Sequence, residues 1–84
     1  MRTPSYSIAS DRDGVIEKVF IKKDAYVYEW EDLFLIKTSD DQLVNISLGV
    51  SGHITEMNVE IGNRVKRNDS LAVIQDDYLI TGSD

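Results

Sequence analysis

Apolar residues along this chain come in short alternating or continuous stretches, "GVIEKVFI", "YVYEW", "LFLI", "LVNI", "HITEMNV" and "LAVI", many of them β-branched. A period of two lines one face of a strand, and a short apolar run bounded by turn residues reads as a buried strand. Breaks at Gly14, Asp24, Gly49, Gly52, Gly62 and Asn68-Asp69 recur too often for a long helix. No window of about a dozen residues keeps apolar positions at helical spacing. The expectation is an all-β chain.

The pattern also repeats. A shift of 38 positions carries residues 8–37 onto 46–75, and six of the thirty pairs are identical: Ile8/Ile46, Gly14/Gly52, Ile16/Ile54, Val27/Val65, Leu33/Leu71 and Ile36/Ile74. Val19/Met57, Ile21/Val59 and Leu35/Val73 stay apolar in step. The match lies in the core positions. Each copy is a short strand, a glycine bend, a strand, a turn and two further short strands, with too little apolar surface to fold alone. The two copies are therefore expected to pack face to face about a pseudo-two-fold axis. This makes residues 1–84 one domain, with halves 8–37 and 46–75 joined by a hairpin at 38–45.

Taken together, "DGVIEKVFIKKDAYVYEWEDLFLIKT" and "VSGHITEMNVEIGNRVKRNDSLAVIQ" resemble the biotinyl/lipoyl carrier domain family. The second half is the closer match, through Gly52, Ile54, Val59, Gly62, Val65, Asp69, Leu71 and Ile74. The resemblance covers about residues 7 to 76 and implies a barrel-sandwich hybrid, a flattened barrel of two four-stranded antiparallel sheets. In that family the hairpin tip carries a lysine, whose amine takes up biotin or lipoate as an amide so that the arm can move a bound group between active sites. Here the tip reads Thr38-Ser39-Asp40-Asp41-Gln42. Counting forward from Ile36 puts the family's lysine at Asp40, and counting backward from Gly52 puts it at Asp41. A carboxylate forms no such amide. The nearest amine, Lys37, stands three residues early, which displaces its root by about 10 Å along a strand.

Other chemistry is sparse. Asp40 and Asp41, beside Thr38 and Ser39, read as turn-stabilising side chains, because a calcium loop needs more regularly spaced oxygen ligands and a glycine at its sharp bend. The single His53 has no partner pattern for catalysis or metal binding. Barrel-sandwich folds also occur in phosphotransfer and peptidase proteins that use histidines, and His53 is the one residue on which an enzymatic reading would rest. In the first half, Tyr26, Tyr28 and Trp30 alternate around an inward Val27, where the second half has Arg64, Lys66 and Asn68. Clustered exposed aromatics mark contact surfaces.

Composition narrows the function. With 9 Lys and Arg against 15 Asp and Glu, the formal charge is −6. Nucleic-acid binding, which needs a dominant basic face, is not expected. The cluster Arg64, Lys66 and Arg67 reads as a solvated strand end. The absence of cysteine removes disulfides, thiolate chemistry and cysteine-zinc sites. No apolar run is long enough for a membrane helix, no leader pattern is evident, and a cytoplasmic protein is expected. The reading is a non-catalytic, carrier-like module without cofactor that acts through a protein partner, with Tyr26, Tyr28, Trp30, Asp40 and Asp41 as contact residues. The alternative is a working biotin or lipoyl carrier modified at Lys37.

Overall fold

The apolar stretches become eight strands and no helix among the described residues. The computed structural model describes residues 4–76, with β1 (Ser5–Ala9), β2 (Gly14–Val19), β3 (Tyr26–Val27), β4 (Phe34–Lys37), β5 (Leu43–Ile46), β6 (Gly52–Met57), β7 (Arg64–Val65) and β8 (Ser70–Asp76). They form two four-stranded antiparallel sheets, ordered β1-β8-β6-β3 and β5-β4-β2-β7. This is the expected barrel-sandwich architecture. The stretch "DYLIT", residues 77–81, whose apolar pattern could extend an edge strand or seal the barrel end, lies outside the described residues.

The 38-residue shift maps one sheet onto the other. Ile16 pairs with Ile36 as Ile54 pairs with Ile74, and Gly14 pairs with Val65 as Gly52 pairs with Val27. Even the irregularities repeat: the ladder slips between Ile16 and Lys18, and again between Ile54 and Glu56. A bulge of this kind bends its strand and increases the twist, which lets each sheet wrap over the other. Positive φ angles recur in register too, at Asp24 (73°) and Gly62 (94°), and at Trp30 (62°) and Asn68 (76°).

Alternation explains what is buried. In β6 the inward residues Gly52 and Ile54 are buried while His53 and Thr55 are exposed. The core is built from the repeat's identical pairs, Ile8 with Ile46, Ile16 with Ile54, Val27 with Val65, Leu33 with Leu71 and Ile36 with Ile74, all buried. One pair is unequal: Phe34 and Ala72 occupy equivalent buried positions, so the core is filled asymmetrically at one layer. Complementary large and small side chains keep such a core at native density. The two bend glycines are there for close approach. A Cβ on Gly14 would meet Ile36 Cγ2 and the Lys37 carbonyl at 2.6 Å, and one on Gly52 would run into the Gln75 carbonyl.

The repeat also positions the two ends of the molecule. The Thr38 amide donates to the Gln42 carbonyl at the hairpin tip, and at the equivalent place the Asp76 amide donates to the Pro4 carbonyl, both at 2.9 Å. One end closes through the hairpin that joins the halves. The other closes through the bond between Asp76 and Pro4.

Candidate functional site

The tip is a short, self-bonded loop. Below it, Ile36 points into the core and Lys37 outward, as alternation in β4 requires. Thr38 and Gln42 form the last rung, Asp41 N donates to the Thr38 carbonyl at 3.0 Å, and Asp41 has φ of 65°. Ser39, Asp40 and Asp41 thus make a three-residue loop of the kind in which a turn is closed by one left-handed residue. Asp and Asn tolerate the left-handed region better than most residues.

Thr38 Oγ1 is the hub of this loop. It accepts from the Gln42 amide at 3.1 Å and donates to the Asp40 carboxylate. Asp41 is engaged by Lys37, Nζ to Oδ1 3.7 Å, with the carboxylate 84% exposed and the ammonium side chain 46% exposed. The Arg12 guanidinium is held above its ordinary value chiefly by its hydrogen bond to Asp11, and more weakly by Asp40, so it stands within electrostatic range of the tip. The loop residues 39–41 thus carry two carboxylates, and the Lys37 amine lies beside one of them. Among the described residues no group of three or more His, Cys, Asp or Glu side chains is placed to hold a metal ion.

The aromatic residues divide into two contacts. Tyr26, beginning β3, meets Tyr28 edge-on at 5.0 Å between centroids and His53 at 5.1 Å. This follows from pairing: Tyr26 lies opposite His53 where β3 runs beside β6. Tyr28 is 67% exposed. Trp30 is placed differently. It is the third residue of the turn from Tyr28 to Glu31, donates its amide to the Leu48 carbonyl at 2.8 Å, and lays its ring over Gly49, where a Cβ would lie 2.7 Å from Cζ2. Of the sequence's candidate contact residues, the fold thus joins Tyr26 and Tyr28, adds His53, and leaves Trp30 over the loop between β5 and β6.

A feature missed in sequence lies beside the tip. An open groove of about 400 Å³ is lined by Asp13, Gly14, Val15, Ser39, Arg64, Val65 and Lys66. Its residues come from three distant stretches, brought together because β7 pairs with β2 and β2 with β4. The repeat contained the clue, since the Gly14/Gly52 equivalence places β7 beside Gly14 just as it places β3 beside Gly52.

Solved structures with this fold include segments of carboxylases. The chain superposes on the Kluyveromyces lactis urea carboxylase over 88% of its length, with a TM-score of 0.76 and 18% identity. It superposes on a single-chain, multi-domain long-chain acyl-CoA carboxylase over 86%, with a TM-score of 0.78 and 14% identity. The matched portions are 6% and 7% of those chains. This protein thus corresponds to a small fraction of each. At such identities the likeness establishes the fold. No family model matches the sequence, and no curated protein does.

Proposed function

We propose that this chain is a non-catalytic, biotin-carrier-like domain that works by protein-protein contact beside a carboxylase-type assembly, without bearing biotin or lipoate itself. The observation that carries this reading is a carrier-like barrel whose tip, Thr38 to Gln42, offers carboxylates in place of an amine. Attachment to a carrier needs a nucleophilic amine to attack an activated carboxyl group and leave a stable amide. Asp40 or Asp41 attacking the same group would yield an anhydride, which water cleaves. The fold shared with carboxylase segments supports the choice of assembly. The setting we propose is cytoplasmic, and the contact residues are Asp40 and Asp41 at the tip with Tyr26 and Tyr28 on the β3 edge and Trp30 beyond it.

Lys37 is the residue on which a working carrier would depend. Its amine is rooted on β4 before the loop begins and faces Asp41 rather than crowning the turn. The deciding experiment is intact mass after incubation with ATP, biotin or lipoate and the matching ligase, beside a known carrier. The expected result is an unchanged mass. A cofactor-sized increase that disappears in Lys37→Ala would establish the carrier and end the interaction-module reading.

A further inference from the structure

The groove beside the tip combines an apolar floor with cationic walls. Gly14, Val15 and Val65 lie along it, and Arg64 in β7 and Lys66 just after it flank the inward Val65. Neither cation has a carboxylate partner among the described residues, where the ion pairs are Arg12 with Asp11 and Lys37 with Asp41. Asp13, the acid on the groove, has a carboxylate oxygen occupied by the Arg67 amide at 2.8 Å. In a chain of net charge −6, Arg12 is paired with Asp11, Arg67 lies within electrostatic range of Asp11, and Arg64 and Lys66 are the cations that line the groove. The fold does not impose that chemistry, because the equivalent positions on the other sheet are Tyr26 and Tyr28.

We propose that this groove binds an extended acidic segment of a partner protein, with carboxylates at alternate positions received by Arg64 and Lys66. β7 is the outer strand of its sheet, but the Lys66 amide and carbonyl are both bonded to Asp69, so the segment is held by side-chain contacts and not as an added strand. Alternate residues of an extended chain lie about 6.6 Å apart on one face. Two acids separated by one residue therefore match Arg64 and Lys66 in spacing as well as in sign. A polynucleotide fits less well, because neutralising a run of phosphates needs a dominant basic face, which a chain of net charge −6 with two groove cations does not offer. The proposal is independent of whether the tip accepts a cofactor, and a mass increase in the ligase experiment would leave it standing.

The test is an NMR titration of the full chain with the peptide acetyl-Ser-Asp-Val-Asp-Val-Asp-Ser-amide and its Asp-to-Asn counterpart. The acidic peptide is expected to shift the amides of Gly14, Val15, Ser39 and Arg64 to Lys66, more weakly as salt is raised, while the Asn peptide does not. The double variant Arg64→Gln/Lys66→Gln should lose about tenfold or more in affinity. The charge-keeping exchange Arg64→Lys/Lys66→Arg should retain binding, and Tyr26→Ser/Tyr28→Ser should leave it unchanged. Equal shifts with the Asn peptide, no shifts at these amides, or undiminished binding by a folded Gln variant would overturn the proposal. So would concentration-dependent shifts at the same amides without peptide, which would assign the groove to a second copy of this chain. Tighter binding of an oligothymidine than of the acidic peptide would overturn it equally.

Discussion

The β3 edge and the β7 edge are one structure with two surfaces. Each is two residues long, each buries a valine, and each sits beside a bend glycine on the neighbouring strand. Their turns are matched bond for bond: the Tyr28 amide donates to the Glu31 carboxylate at 2.9 Å, and the Lys66 amide to the Asp69 carboxylate at 2.8 Å. Yet one edge shows Tyr26, Tyr28 and His53, and the other Arg64 and Lys66. Backbone geometry is held by the shared inward residues and turn bonds, which leaves the outward positions free to take on different partners. Shared fold and divergent chemistry occupy alternate residues of the same strands.

The strongest way to break the equivalence is in the core. Ile16 and Ile54 are equivalent, both at 1% exposure or less, and pair with Ile36 and Ile74. Truncating either to Ala should cost about 2–5 kcal/mol, from lost transfer energy plus the cavity left behind. Chemical denaturation should find the two costs similar. A difference beyond about 1 kcal/mol would show that the Phe34/Ala72 inequality makes one half of the core harder to collapse around a cavity than the other.

The bend glycines sharpen the same comparison. Gly14→Ala and Gly52→Ala should each destabilise by about 1–3 kcal/mol, in the range of overpacking. Gly52→Ala is expected to be the worse. Its Cβ meets the backbone of Gln75, whereas Gly14 meets a movable Ile36 methyl as well as the Lys37 carbonyl. Equal melting temperatures for the two variants would contradict that ordering.

Inward residues were readable because they obey a period and recur after 38 positions. Ile8, Ile16, Val27, Leu33 and Ile36 thus gave both sheets and their two-fold relation from sequence. Bulges between Ile16 and Lys18 and between Ile54 and Glu56 were not readable, since Glu17 and Thr55 carry no side-chain signature of an extra residue. The tip was legible as a polar turn, while its three-residue closure on the left-handed Asp41 was not. The groove was hidden for a different reason. Ser39, Gly14 and Arg64 are far apart in sequence, and a basic strand end shows its use only when the opposite wall is known.

Trp30 tests whether the equivalence extends to strain. It has φ of 62°, a region that costs an ordinary L-residue roughly 1–2 kcal/mol, while its counterpart Asn68 tolerates the same conformation. The residue is 69% exposed, so its contact with Gly49 recovers little by burial. Trp30→Asn should therefore stabilise by about 0.5–1 kcal/mol, read as a higher urea midpoint at unchanged slope. Destabilisation instead would make the ring a brace for the Leu48-Gly49 loop, and that loop the reason an aromatic persists at a left-handed position.

The smallest expected effect separates the tip's backbone from its charge. Asp41 is left-handed and pairs with Lys37 at 3.7 Å, with 84% of its side chain exposed. Asp41→Asn keeps a residue that tolerates positive φ and removes only the ion pair, which at such exposure is worth about 0–1 kcal/mol and less in salt. Asp41→Val keeps neither, and a β-branched residue in that region should cost about 1–2 kcal/mol more than Asn does. Thermal unfolding of both variants at low and high salt distinguishes the terms. If Asn is near neutral and Val is not, the loop needs Asp41 for its conformation, and the Lys37 pair contributes little to holding the tip. If Asn alone costs as much as Val, the ion pair orders the tip. Lys37 would then be committed to Asp41, further from service as an attachment point than its sequence position suggests.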